Sequence, residues 1–162
     1  MTGTLIRIPS AALAIILSAI VVLAQSADPW IGTWQINLAK SKFSPGPPAR
    51  SNTLKMEAVA GGAQKVTFHL VDDEGTLHVE YVTKFDGVEV PVQAMFGETK
   101  IVQTNVSRRL ADRSYEHIFK TDGKQTLTVR GVVSPDGKTL TLTTTGTDNG
   151  KPFNNITVFE KQ

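Results

Sequence analysis

Apolar and polar residues alternate along most of the chain from Thr53 to its end, and clusters of Gly, Asp and Asn interrupt the alternation. Successive side chains of a β-strand point to opposite faces, so this pattern predicts strands with one buried and one solvated face. Turn signals recur about every 8 to 14 residues, which is typical of an all-β sandwich or barrel. The sequence therefore predicts an all-β, antiparallel domain.

An antiparallel meander has two exposed edge strands unless it closes on itself. We therefore predict a single antiparallel up-and-down β-barrel of roughly eight to ten strands. Trp34, near the first strand, is suited to fill the narrow end of the closed sheet, and we assign it to structure. The Pro-rich stretch 39–48 predicts an extended surface loop, which Phe43 would hold in place or set over one end of the barrel.

Turn lengths follow from the need to keep apolar residues on one face. The Asp-Gly step after Phe85 predicts a two-residue turn that pairs Phe85 with Val88. After Thr121, a second Asp-Gly step predicts a three-residue loop, because only that length pairs His117 with Leu127 and keeps both apolar faces together.

The remaining turns are less regular. A four-residue loop at 134–137 would place Val129 opposite Leu142. The alternation weakens between residues 93 and 112, where we predict one strand at 99–105 and a further short strand at 107–110.

Residues 1–27 predict a cleaved signal peptide. One arginine precedes the apolar run 11–23, and the small residues Ala24 and Ser26 follow it. The run is shorter than the ~20 apolar residues that a membrane span needs, which argues against an anchor and against stable membrane insertion after cleavage. Residues 28–162 then form the lipocalin-like barrel domain of a secreted or periplasmic protein.

Charge and cysteine content limit the classes of partner. The chain has 17 Lys and Arg against 15 Asp and Glu, and it has no Cys. Without a basic stripe interleaved with aromatic residues, we expect no nucleic-acid partner. The absence of cysteine excludes a lipid on a leader cysteine and a disulfide framework, and the domain is long enough to bury a core without one. The oligomeric state stays open.

Side chains on the predicted inward faces are our candidates for the wall of a ligand cavity. They are mostly apolar or aromatic, as the walls of such cavities usually are. The predicted ligand-binding residues are Met56, Phe68, Tyr81, Phe85, Tyr115, His117, Phe119, Leu127, Val129 and Leu142.

His117 is the most polar of these candidates. It lies between Tyr115 and Phe119 on the predicted inward face, and Arg113 shares their parity and is placed to reach the barrel mouth. One interpretation is a core histidine that bonds a tyrosine such as Tyr81 or a backbone carbonyl. Another is a group that orients a ligand. A general acid or base and a haem ligand are further alternatives, which no motif supports.

No motif predicts catalysis, a metal or a cofactor. His69 and His78 lie on outward faces near Glu80, and a zinc site needs three or four converging ligands. The acidic cluster 72–74 precedes Gly75 and has the spacing of a turn rather than of a calcium loop. No Gly-Xaa-Ser-Xaa-Gly elbow occurs. We therefore expect no catalytic residue, metal or cofactor.

The first folded segment resembles the lipocalin and calycin pattern, which has a Gly-Xaa-Trp step at the first strand. The stretches Asp28–Trp34, Lys40–Pro48 and 134–138 make the mature chain similar to a group of small secreted bacterial lipocalin-like proteins whose function is largely unassigned. The resemblance implies an up-and-down barrel around a cavity and a bacterial envelope location, and it carries over no catalytic residues. The chain departs from the lipocalin pattern in one respect. Lipocalins have a basic residue near the last strand that packs over this tryptophan, whereas here Lys161 is the only basic residue in that region and Arg130 lies two strands earlier.

These observations favour a secreted or periplasmic protein that binds a small apolar or amphipathic molecule in the barrel interior. A filled barrel that acts as an envelope interaction module through its surface is the first alternative. A barrel enzyme with His117 as general acid or base is the second.

Overall fold

The computed structural model describes residues 28–148 and 150–162, and the predicted signal peptide at 1–27 lies outside these residues. Ten antiparallel strands follow one another around a closed barrel, and the last pairs with the first. The predicted up-and-down barrel is confirmed. The strands are β1 Gly32–Ile36, β2 Ser51–Val59, β3 Ala63–Val71, β4 Thr76–Thr83, β5 Asp86–Phe96, β6 Thr99–Ala111, β7 Ser114–Thr121, β8 Lys124–Val133, β9 Thr139–Asp148 and β10 Lys151–Lys161.

Helix contributes little to the described part of the chain. Single 3-10 turns occur at Leu38–Lys40 and Ala60–Gly62. Within residues 28–148 and 150–162, no helix has both the length and the apolar character needed to cross a membrane.

The chain between β1 and β2 remains attached to β10 before it becomes irregular. Asn37 N donates to Val158 O at 2.7 Å, and Lys42 exchanges backbone hydrogen bonds of 2.7 and 2.8 Å with Ile156. Phe43 follows and is partly buried. The first part of the predicted Pro-rich loop thus continues the pairing with β10, and only its later part is irregular.

The inner faces of the strands form one core, as the alternation predicts. Tyr81, Phe119 and Leu142 come from three different strands and belong to the same buried cluster. This shared core rules out a division into separate packing units within residues 28–148 and 150–162.

The segment before β1 closes one end of the barrel around Trp34, which is fully buried. Trp34 Nε1 donates to the carbonyl oxygen of Trp30 at 2.9 Å. Lys161 Nζ lies 4.9 Å from the centre of the Trp34 ring and donates to the carbonyl oxygen of Pro29 at 3.1 Å. Lys161, which the sequence analysis counted as a departure from the lipocalin pattern, therefore packs over Trp34, and its stacking contributes a cation–π attraction. We call Asp28–Ile31 together with Trp34 the plug.

Polar contacts hold the plug against the barrel rim. The carboxylate of Asp28 accepts hydrogen bonds from Gln64 Nε2 at 2.8 Å and from an Arg109 nitrogen at 2.9 Å. The Arg109 guanidinium also lies 5.6 Å from the centre of the Phe85 ring. The plug is thus bonded to strands that are distant in sequence, through the side chain of Asp28 and through the backbone carbonyl of Pro29.

The turn between β4 and β5 differs from the prediction. Positive φ angles occur at Phe85 (58°) and Gly87 (83°), so the turn is not a two-residue loop at the Asp-Gly step. Asp86 pairs instead with Arg108 of β6, and a bulge follows it. Val88 is consequently 59% exposed, and its predicted place in the core is wrong.

The three-residue loop that was predicted at residues 121–123 is also wrong. Thr121 pairs with Lys124 across a two-residue turn. A register shift beyond Phe119 leaves Thr126 as an extra residue, and His117 consequently pairs with Val129 rather than with Leu127. The bulge keeps the apolar faces together, which is the condition that the longer loop was predicted to meet.

The register between β8 and β9 is shifted by two residues from the prediction. Gly131, not Val129, lies opposite Leu142. A side chain at Gly131 would overlap the ring of Tyr115, so the glycine lets that ring pass across the barrel. The two short strands predicted between 99 and 110 are one continuous strand, β6.

Candidate functional site

A cavity of about 210 Å³ lies inside the barrel, on the inner side of the plug. Nine of the ten predicted wall residues lie on it, namely Met56, Phe68, Tyr81, Tyr115, His117, Phe119, Leu127, Val129 and Leu142. The wall also includes residues that the sequence analysis did not select, namely Leu54, Val66, Leu77, Val79, Ile101, Gln103 and Thr144. The structure therefore brings the predicted set together, and its role in binding stays a prediction.

Phe85 is the predicted wall residue that does not reach the cavity. The centre of its ring lies 5.8 Å from that of Tyr115 and 5.4 Å from that of His117, so Phe85 packs against two wall residues without lining the cavity itself. The left-handed backbone at Phe85 turns the side chain toward the plugged end, where Arg109 covers it. Arg113 does not line the cavity either, because it lies in the turn between β6 and β7 and is exposed at the plugged end of the barrel near Pro29.

Burial changes along the cavity and indicates where it opens. Met56 and Tyr115, toward the plug, are almost fully buried. Leu77, Ile101 and Thr144, toward the opposite end, are only partly buried. The cavity therefore has a closed floor at the plug and a mouth at the other end of the barrel.

At the deep end of the cavity, a chain of hydrogen-bonded polar side chains runs from the wall into the protein behind it. Nδ1 of His117 lies 2.7 Å from the Ser107 hydroxyl and 3.4 Å from the Tyr81 hydroxyl. Ser107 in turn donates its hydroxyl proton to Asn105 Oδ1. We call Asn105, Ser107, His117 and Tyr81 the polar relay. The sequence analysis missed Asn105 and Ser107, although both share the inward parity of Ile101 and Gln103.

The tautomer of His117 depends on the partner of the Ser107 hydroxyl. A serine hydroxyl has one proton, and that of Ser107 points at Asn105. In this arrangement Ser107 Oγ accepts the bond from His117, and the ring is protonated at Nδ1. His117 Nε2 is buried without a hydrogen-bond partner among the described residues, and so is Asn105 Nδ2.

The deep end of the cavity is uncharged. Burial lowers the pKa of His117 to about 3, because a charged imidazolium would lose its hydration there. Burial also raises the pKa of the Tyr81 and Tyr115 hydroxyls above their ordinary value. All three groups are therefore neutral at physiological pH.

This lowered pKa predicts that acid destabilises the protein through His117. An unfolded histidine takes up a proton below about pH 6.5, whereas the folded one stays neutral down to a pKa of about 3. The unfolded state thus binds more protons within this window, and the free energy of unfolding should fall by up to ~1.4 kcal/mol per pH unit as the pH falls through it.

Urea unfolding at a series of pH values measures this slope. His117→Phe should remove this contribution, whereas the parent protein should retain it. His69→Phe, at an exposed histidine, is the matched control. Equal slopes in the parent protein and in His117→Phe would mean that the buried imidazole is not the source of the acid sensitivity.

The other sequence candidates lie on the outer surface. His69 and His78 pair directly across β3 and β4, with ring centroids 6.3 Å apart. Asp72 Oδ1 accepts backbone hydrogen bonds from Glu74 and Gly75 at 2.9 Å each, which is the predicted turn. Among the residues that the structure describes, no three His, Cys, Asp or Glu side chains converge as metal ligands would.

Comparison with known proteins supports the fold. No protein-family model and no curated protein matches the chain. A crystal structure of a mutant of the fluorescent protein UnaG is similar, with a TM-score of 0.54 and 16% sequence identity over 83% of this chain and 96% of that one. This likeness and the strand order show that the two proteins share a barrel fold. At this identity the likeness shows the fold alone.

Proposed function

We propose that this protein binds a compact apolar or amphipathic molecule in the interior of its barrel. The observation that supports this most is the apolar cavity of about 210 Å³. Apolar cavities of about 150 Å³ accept a benzene ring, whereas pockets for drug-sized ligands have about 300 Å³ or more. The size therefore favours a single ring with a short substituent, or a short chain, over a long fatty acid.

The character of the cavity wall also supports binding. Most of the lining side chains are apolar or aromatic, so a molecule that enters the cavity buries its apolar surface against them. A barrel that acted only through its surface would have no use for this space, and no contact in the described residues favours that alternative.

Catalysis by His117 has little support from the site. A general base is most effective when its pKa lies near the working pH. The pKa of His117, at about 3, is far below that range. Ser107 is fully buried behind the wall and is not part of the cavity surface, so it is not placed to attack a bound molecule.

The proposal includes export to the periplasm or the exterior of a bacterial cell, and it rests there on the leader pattern in residues 1–27. Removal of the leader after Ala24 or Ser26 would leave only a few residues before the plug begins at Asp28. N-terminal sequencing of the exported protein tests this part, and an intact start at Met1 would contradict it.

Titration with ring-sized probes tests the binding function. Ethylbenzene and indole should bind with one-to-one stoichiometry in calorimetry, because each fits the cavity and buries its apolar surface. At a free concentration 100 times its dissociation constant, a probe should add ~2.7 kcal/mol to the free energy of unfolding. Native mass spectrometry of freshly purified protein offers an independent check through a co-purifying small molecule. Failure of every compact apolar probe to bind would overturn the proposed function.

A further inference from the structure

The wall of the cavity has no charged group to receive a charged ligand. Its polar members within the described residues are His117, Tyr81, Tyr115, Gln103 and Thr144, and Lys, Arg, Asp and Glu are absent from the lining. Arg109, one of the basic groups that the plug uses, packs over the Phe85 ring and is paired with Asp28. An anion held inside the cavity would lose its hydration without gaining an opposite charge.

The polar relay leaves the Tyr81 hydroxyl without a close partner. Nδ1 of His117 lies 2.7 Å from Ser107, which makes Ser107 its nearer hydrogen-bond partner. The Tyr81 oxygen lies 3.4 Å from the same nitrogen, which is longer than an ordinary hydrogen bond. This long contact is the hydrogen bond that the Tyr81 hydroxyl makes within the described residues, although only 6% of the side chain is exposed.

A buried donor without a close partner is costly, and a ligand acceptor would relieve that cost. Tyr81 lies on the cavity wall, so a bound molecule is the group best placed to provide the acceptor. A carboxylate would also accept this bond, but a single neutral hydroxyl does not compensate for the dehydration of a full negative charge.

We propose that the cavity selects a neutral, ring-sized molecule with an oxygen acceptor directed at the Tyr81 hydroxyl, and that it rejects anions of the same shape. This inference rests on the proposed function and adds the chemical class of the ligand. Ketones, aldehydes and ethers on a single ring belong to that class, whereas free fatty acids and aromatic carboxylates do not.

Three probes of nearly the same shape test the inference at neutral pH, namely acetophenone, α-methylstyrene and benzoate. Acetophenone and α-methylstyrene differ by a carbonyl oxygen in place of a methylene carbon, and benzoate replaces the ketone with a carboxylate. Acetophenone should bind about a hundredfold more tightly than benzoate, since burial of the carboxylate is not compensated.

The variant Tyr81→Phe removes the hydroxyl and keeps the ring. It should weaken acetophenone about tenfold and leave α-methylstyrene unchanged, so the ratio of the two dissociation constants isolates the hydrogen bond. Thr145→Val, which removes an exposed hydroxyl from the outer face of β9, is the matched control and should leave that ratio unchanged.

The outcomes separate this inference from the proposed function. Binding of α-methylstyrene with an unchanged ratio in Tyr81→Phe, or binding of benzoate as tight as that of acetophenone, would overturn the inference and leave the binding function intact. Absence of binding by all three probes would overturn both. A ratio that shifts in Tyr81→Phe but not in Thr145→Val, together with weak benzoate binding, is the result that the inference predicts.

Discussion

Trp34→Ala is expected to lower the free energy of unfolding by ~3–5 kcal/mol, the range for truncating a fully buried aromatic side chain. Trp34 is 0% exposed, its Nε1 donates to Trp30, and Lys161 stacks on its ring. Since whole domains are stable by only ~5–15 kcal/mol, this loss would leave the barrel close to unfolding. Equilibrium urea unfolding measures the change.

Two further variants show whether the loss comes from the plug. Trp34→Phe keeps a ring under Lys161 but loses the bond to Trp30, and it should cost less than the alanine variant. Phe96→Ala removes an aromatic side chain that is 36% exposed near the opposite end, and it should cost less than half as much as Trp34→Ala. A loss below ~1 kcal/mol in Trp34→Ala would contradict the role of the plug in closing the barrel.

Val129→Trp is expected to abolish binding of ring-sized probes, with a loss of at least about a hundredfold in affinity. Val129 lies on the cavity wall and pairs with His117, so the indole would occupy the space that a ligand needs. Because the new side chain enters existing free space, the free energy of unfolding should change by less than ~2 kcal/mol. Calorimetric titration and urea unfolding of the same preparation measure both quantities.

The control for this variant lies on the same strand. Val132 is 53% exposed on the outer face of β8, three positions away from Val129. Val132→Trp adds the same side chain outside the barrel and should bind the probes as the parent protein does. Equal affinity in both variants would place the binding site elsewhere on the molecule.

The alternation of apolar residues predicted which side chains point inward, because a strand has only two faces. It therefore identified the shared core of Tyr81, Phe119 and Leu142 and most of the cavity wall. The contact between Lys161 and Trp34 has no periodic signal in the sequence, and Lys161 was interpreted as a departure from the lipocalin pattern.

Register was harder to predict, for a physical reason. Any shift of two residues keeps every side chain on its face, so the alternation accepts Val129 or Gly131 opposite Leu142 equally well. The packing of Tyr115 over Gly131 selects the observed register, and that contact joins different strands. In the same way, a two-residue turn followed by a bulge at Thr126 and a three-residue loop both keep the apolar residues on one face. The alternation in the sequence therefore does not distinguish these two arrangements.

The polar relay was missed because its residues break the pattern used to find strands. Asn105 and Ser107 are inward-facing and fully buried, yet their polar character made this stretch look like the end of one short strand and the start of another. The signal was the parity they share with Ile101. Buried polar residues are tolerated where hydrogen bonds satisfy them, and the bond between Ser107 and His117 reaches across to β7 and is not visible in the sequence of β6.

A crystal structure of the protein soaked with acetophenone would test the central claim most directly. The account predicts density for one molecule inside the barrel, in contact with Met56 and Val129, with its oxygen within hydrogen-bond distance of the Tyr81 hydroxyl. An interior filled by side chains, or density for the ligand only on the outer surface, would contradict it.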